Sequence, residues 1–182
     1  MAAMPDAGVV AMVMAWADRA GFRVGTGFGL GFLPWAPGTF GSLVGVLLAW
    51  WMLGRDRATQ LAMAMLFFGV GWWVCEVSSA RFGAVDAPQI VADEFLAFPL
   101  SVLGLRFARH PGVMMLALVL YRAFDIFKPW PIRELESVPG GLGIMLDDVV
   151  AASCVWLVLV SARLLYRTWR NHLLIARSRL ER

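Results

Sequence analysis

Eight of the thirteen carboxylates in this 182-residue chain fall between Asp86 and Asp148, inside a sequence otherwise poor in charge. Asp93, Glu94, Asp125, Asp147 and Asp148 abut apolar runs, where an unpaired carboxylate is costly to bury and a functional use is the default expectation. Carboxylate oxygens without accompanying His or Cys suit a hard cation, Mg²⁺ before Zn²⁺. The same acids would be structural if they paired with Arg81, Arg122 and Arg133 or capped helix N-termini.

Three further groups could handle an anion. Arg122, Asp125 and Lys128 recur at a three-residue interval, which predicts one helix face ending before Pro129, and Lys128 is the sole lysine. A fork-shaped Arg and a point-charge Lys beside a carboxylate make a phosphate grip next to a metal, with Trp130 as an anchor at headgroup depth. Gly38-Thr39-Phe40-Gly41-Ser42 precedes a predicted helix, where free backbone N–H groups suit a phosphate. It lacks the Gly-Lys-Ser/Thr of a P-loop, and a plain cap by Thr39 or Ser42 explains it equally well. Cys75 and Arg81 have the Cys-x5-Arg spacing of cysteine phosphatases, but no glycine lies between them and Glu76 follows the thiol, so no electropositive cradle is expected. His110 and His172 lie in Arg-rich flanks away from the acids, which argues against Ser-His-Asp hydrolysis.

The elements that must position these groups read as helices. Ala58 to Cys75 is an uncharged run long enough to cross a bilayer. Gly41 to Leu53 and Val149 to Leu165 are shorter, and Phe95 to Leu105 with Pro111 to Tyr121 reads as a buried helical pair. Val24 to Ser42, dense in Gly and Pro, reads as loop up to a helix starting near Ser42. Pro129, Pro131 and the Gly140-Gly141 pair forbid a continuous helix from Arg122 to Asp148. No sustained period-two alternation signals strands. The expectation is an all-α, compact helical bundle, membrane-embedded or membrane-associated, with Gly/Pro-rich loops carrying the site.

Composition agrees. The chain is 60% hydrophobic and only 16% charged, with nine Trp and twelve Phe and a mean hydropathy of +0.70. That excludes a disordered chain, a disulfide scaffold and most nucleic-acid modules, and makes a bilayer the natural second solvent. Residues 1–182 read as one domain, with a basic tail over 166–182. Arg163, Arg167, Arg170, Arg177, Arg179 and Arg182 crowd the last twenty residues against Glu181 alone, as on a cytoplasmic flank or an anionic lipid surface. No basic n-region precedes the first apolar stretch, so no secretory signal is expected.

The polar segments between the apolar runs together resemble the bacterial phosphatidylglycerophosphatase A family. The resemblance rests on APGTFGS at 36–42, D-x5-ADE from Asp86 to Glu94, and RAFDIFKPWPIRELE running into GGLGIMLDDVVA between Arg122 and Ala151. It spans about Gly27 to Ala151, and departs where Ala97 replaces a usual Gly. The resemblance implies a largely helical, Mg²⁺-dependent lipid phosphatase that converts phosphatidylglycerophosphate to phosphatidylglycerol. Its acidic motif positions fall on Asp86, Asp93, Glu94, Asp125, Asp147 and Asp148, and its basic ones on Arg122, Lys128 and Arg133. On that reading Asp86, Asp93, Glu94, Asp125 and Asp148 hold the metal, and Arg122 with Lys128 neutralises developing charge. Asp147 orients the attacking water, and Thr39, Gly41, Ser42 and Arg133 grip the phosphate.

Partners are then the phosphatidylglycerophosphate substrate and membrane lipid, with no nucleic acid. The substrate's origin implies the bacterial inner membrane and a site facing the cytoplasm. If Val149 to Leu165 crosses fully, the Arg-rich tail ends on the opposite face from Asp148, in conflict with the positive-inside rule. Two rivals use the same features: a membrane subunit or small transporter with intramembrane carboxylates for ions or protons, and a lipid-binding protein acting through its tail.

Overall fold

The computed structural model describes residues 6–83, 87–130, 132–135 and 137–180, with side chains to residue 174. Among these residues the α-helices are, in order, α1 (Ala7–Gly25), α2 (Pro37–Met52), α3 (Arg57–Phe82), α4 (Ala92–Ala97), α5 (Pro111–Phe127), α6 (Ile132–Leu135) and α7 (Gly141–Leu180). Tight 3-10 turns fill Gly27–Phe32, Phe98–Val102 and Arg106–Arg109. Among the described residues there is no strand, and the expected all-α class holds.

Local chemistry sets the helix ends. Asp6 accepts from the Gly8 N–H at 3.2 Å to open α1, and Asp56 accepts from the Thr59 N–H at 3.0 Å to open α3. Pro111 takes the first turn of α5 with His110 Nδ1 accepting from the Gly112 N–H at 3.2 Å, so His110 is an exposed cap. Helix α2 starts at Pro37, not near Ser42 as its Gly/Pro density suggests. A proline at the first helical position is preorganised, and its missing N–H is one the helix never needed.

The short α4 and the turn Phe98–Val102 form the buried centre, with α2, α3 and α7 packed around them. Pro99 sits in the first turn of the 3-10 segment, where it continues the chain without a lost hydrogen bond. Tyr121 of α5 is fully buried, edge-on to Phe98 with ring centroids 5.4 Å apart. Half of the predicted buried pair is thus correct. Phe95–Val102 is enclosed, whereas α5 buries Met114, Ala117, Leu118 and Tyr121 and leaves Met115, Leu116 and Val119 exposed.

Among the described residues, two helices are long and apolar enough to cross a membrane: α3, and Gly141–Leu174 of α7. The predicted Ala58–Cys75 run lies inside α3. Val149–Leu165 proves to be the middle of a much longer helix, because the Arg- and Leu-rich residues that follow keep helix propensity after the apolar run ends. Leu61, Met65 and Leu66 of α3 and Leu157, Leu164 and Leu165 of α7 point outward, the surface expected of a protein solvated by lipid tails.

Helix α7 begins directly on α3. The Gly141 N–H donates to Glu76 Oε2 at 2.6 Å, and a Cβ at Gly141 would run into the Glu76 backbone. Glu76 is therefore a capping carboxylate delivered from a neighbouring helix, favoured by the α7 dipole. Glu76→Ala should lower the unfolding free energy by about 1–2 kcal/mol, with Glu76→Gln losing less. Denaturant titration in detergent, followed by circular dichroism, checks this, and equal stability of Glu76→Ala and wild type would contradict the cap.

Candidate functional site

Acidic residues of α4, α5 and α7 meet in one cluster. Asp93 and Glu94 enter from the first turn of α4, Arg122 and Asp125 from the last turns of α5, and Asp147 and Asp148 from the second turn of α7. Glu94 lies against the first turns of α2. A Cβ on Gly38 would overlap its carboxylate, and one on Gly41 would come within 2.6 Å of Oε2. Only glycine permits that approach, which explains the small residues of the APGTFGS segment.

Two cations hold the acids in place. Arg122 Nη1 donates to Glu94 Oε1 at 2.9 Å and to Asp125 Oδ2 at 2.6 Å. Lys128 Nζ donates to Asp147 Oδ2 at 2.6 Å, and the Asp148 N–H donates to Asp147 Oδ1 at 2.9 Å. Asp148 is 2% exposed, and its Oδ1 accepts no hydrogen bond. Asp125, Asp93, Asp147 and Glu94 all act electrostatically on it. Burial alone would lower the Arg122 pKa, but the carboxylates of Glu94 and Asp125 outweigh it and raise the value, so the guanidinium stays charged. Burial, with the nearby acids, pushes the Tyr121 hydroxyl well above its ordinary value, so it remains a donor. Its partner is the Glu94 carbonyl at 3.4 Å, a long bond.

The expected single face of Arg122, Asp125 and Lys128 is corrected by the structure. Helix α5 ends at Phe127, and Lys128 adopts the left-handed conformation at φ 40°, ψ 59°. That turn swings its side chain off the Arg122 face and toward α7. A lysine in this region is strained, a cost that tends to persist only where the surroundings enforce it.

The predicted phosphate grip is placed less uniformly. Thr39 is exposed at the start of α2, whereas Gly41 is buried within the helix. Ser42 is buried and its hydroxyl donates to the Gly38 carbonyl at 2.9 Å, so it back-bonds inside the helix instead of capping it. Arg133 is exposed on α6. Asp86 lies outside the described residues. Cys75 is buried within α3, and Arg81 pairs with Asp18 at 2.9 Å. A continuous helix between them leaves no amide cradle, which disposes of the cysteine-phosphatase geometry. Sequence reasoning missed the roles of Glu76 and Tyr121, and it read Gly38 as part of a phosphate-binding segment where the structure uses it to admit the Glu94 carboxylate.

Five carboxylates against Arg122 and Lys128 leave a formal excess of three negative charges in a largely buried site, which low polarity makes costly without further positive charge. Among the described residues no three His, Cys, Asp or Glu side chains converge as a metal cage. Mg²⁺ does not need one, since it keeps several waters and commonly binds one or two carboxylates plus a substrate phosphate. The all-oxygen donor set, the excess charge and the unbonded Asp148 Oδ1 fit that ion.

A family model described as phosphatidylglycerophosphatase A matches residues 23–163. A protein of Bacteroides thetaiotaomicron, provisionally named a phosphatidylinositol-3-phosphatase, is 34% identical over 146 residues, covering 77% of this chain and 91% of its own. Two proteins named phosphatidylglycerophosphatase A are also similar. That of Escherichia coli is 35% identical over 143 residues, 77% of this chain and 78% of its own. That of Haemophilus influenzae is 38% identical over 128 residues, 69% of this chain and 78% of its own. No solved structure matches the chain.

The pairing makes a stability prediction. Arg122→Met leaves Glu94 and Asp125 without their shared cation and should destabilise the fold by about 3 kcal/mol. Adding Glu94→Gln to that variant should recover part of the loss, as measured by a double-mutant cycle in detergent. Strict additivity of the two changes would show that the pair is not coupled.

Proposed function

Since the chain belongs to the phosphatidylglycerophosphatase A family, we propose that its buried carboxylate cluster hydrolyses the terminal phosphomonoester of phosphatidylglycerophosphate with the aid of Mg²⁺. The observation that carries this reading is the meeting of Asp93, Glu94, Asp125, Asp147 and Asp148 around Arg122 and Lys128. A transporter could use the carboxylates for ions or protons, but the family match favours phosphoryl transfer. A phosphoryl-transfer site has a use for two cations fixed among five acids, because negative charge on the phosphoryl oxygens must be held while the bond to the leaving oxygen breaks.

Asp93 and Asp148, with Glu94 and Asp125 beside them, would hold Mg²⁺. The ion supplies Lewis-acid polarisation of a phosphoryl oxygen. Arg122 and Lys128 present N–H donors to the remaining phosphoryl oxygens. Both oxygens of Asp147 are already engaged, by Lys128 and by the Asp148 N–H, so we assign it to positioning Lys128. The attacking water gives its proton to a carboxylate of the cluster other than the two that hold the ion. The new bond joins the water oxygen to phosphorus. The bond to the glycerol oxygen breaks, and that oxygen takes up a proton to leave phosphatidylglycerol and inorganic phosphate.

We place the site on the cytoplasmic face of the bacterial inner membrane, where the substrate is made. About 22 Å of helix separates Asp148 from Arg163 at 1.5 Å per residue, less than the roughly 30 Å of a hydrocarbon core. A partly inserted α7 therefore reconciles a cytoplasmic site with its distal arginines.

Phosphate release by the purified protein in detergent tests the reading. Release from phosphatidylglycerophosphate should require Mg²⁺, stop in excess chelator, and exceed release from phosphatidylinositol 3-phosphate. Cys75→Ser should stay within a few-fold of wild type, because the thiol is buried inside the continuous helix α3, with no loop of amides to hold a phosphate beside it. Full turnover in chelator would contradict the metal, and a dead Cys75→Ser would contradict the site.

A further inference from the structure

We propose that the groove between α2 and α5 seats an acyl chain of the lipid substrate and sets chain preference. The inference rests on the lipid-phosphatase reading and deepens it.

The groove is apolar, encloses about 140 Å³, and is lined by Leu43, Val46 and Trp50 of α2 and by Pro111, Met115 and Leu118 of α5. Apart from the Trp50 indole, its lining side chains carry no charged, hydroxyl or amide group that would hold water. Helical spacing connects it to the site. Thr39, Leu43, Val46 and Trp50 follow one another at intervals of four, three and four residues on α2, and Arg122, Leu118, Met115 and Pro111 do so in reverse on α5. Each stripe therefore runs from a polar residue at the site end into the groove. Glu94 links the two polar ends, since it packs on Gly38 and Gly41 and pairs with Arg122.

The same two helices carry exposed apolar side chains beside the groove, Leu47 and Trp51 on α2 and Leu116 and Val119 on α5. From Leu43 to Trp50 it extends about 10 Å along α2, and beyond Trp50 stand Arg55 and Arg109. A lipid with its phosphate at Arg122 would thus find hydrocarbon lining directly below its headgroup. A phosphorylated sugar or nucleotide would gain nothing from such a lining. Orientation by this remote part of the substrate would hold the phosphoryl group for attack.

Two measurements test the groove. In the first, Met115→Trp and Leu43→Trp fill it, and Met65→Trp places the same bulk on the outward face of α3. Hydrolysis is followed on dioleoyl phosphatidylglycerophosphate and on its deacylated headgroup. The groove variants should lose about tenfold or more in kcat/KM on the diacyl substrate, chiefly through KM, and remain unchanged on the headgroup. Met65→Trp should behave as wild type. An equal loss on both substrates, no loss, or an equal effect of Met65→Trp would overturn the proposal.

The second measurement is independent of turnover. Phosphatidylglycerol bearing a diazirine on one acyl chain, in vesicles with the wild-type protein, should label residues 43–50 and 111–118, and Met115→Trp should suppress that label. Label spread evenly over α3 and α7 would show ordinary boundary lipid and overturn the proposal. If the wild type releases phosphate from neither lipid nor headgroup, the hydrolytic reading falls and takes this inference with it. Intact hydrolysis without acyl discrimination overturns the groove alone.

Discussion

A carboxylate packed against helix backbone, where no side chain larger than hydrogen fits, constrains this molecule more than any other contact. Glu94 occupies the space that a Cβ at Gly38 or Gly41 would take, and Arg122 holds it from the other side. The contact fixes α2 against α4 and α4 against α5. It also turns Asp93 and Glu94 toward Asp148 while α4 itself stays at the centre of the bundle. In a site of low polarity such a charge is tolerable only if it remains paired. The helices therefore cannot slide past one another without exposing an unpaired ion, and the acids keep their mutual geometry as a result.

The surroundings reinforce that geometry. Non-glycine residues with left-handed backbone occur at Ala36, just before α2, and at Lys128, just after α5. Both flank the cluster, and both are sites where strain is held by neighbours. Glu76 adds a third fixed point by capping α7 two turns before Asp148. The outer surface is apolar along α3 and α7, and Asp93, Asp147 and Asp148 are withdrawn from water. Electrostatic interactions there are stronger than in water, for catalysis as for folding.

Much of this was legible in the sequence, for a physical reason. In a chain with so few charges, acids beside apolar runs stand out, and five of those singled out do meet around the two predicted cations. Helix class was equally readable from the length of the apolar runs. Pairing was not. Lys128 keeps helical spacing with Arg122, and nothing local announces that its backbone turns left-handed and sends it to Asp147. The Gly/Pro density of residues 24–42 looks like loop until Glu94 is seen to need those glycines inside a helix. Ser42 looks like a cap until that earlier start leaves it back-bonded within α2. Glu76 was hidden because its partner is a backbone N–H 65 residues away, and α7 was underestimated because apolarity ends before helix propensity does.

The family match gives the activity, and the structure gives a physical reason for the residues that the motifs contain. The central claim is that the acids of the cluster, Asp148 above all, carry the hydrolysis instead of merely bracing the helices. Steady-state phosphate release by Asp148→Asn and Asp93→Asn, each with unchanged circular dichroism, tests it most directly. Loss of a residue that stabilises the transition state should cost several kcal/mol, about two or more decades in rate. Folded variants that both retain near wild-type turnover would contradict the account.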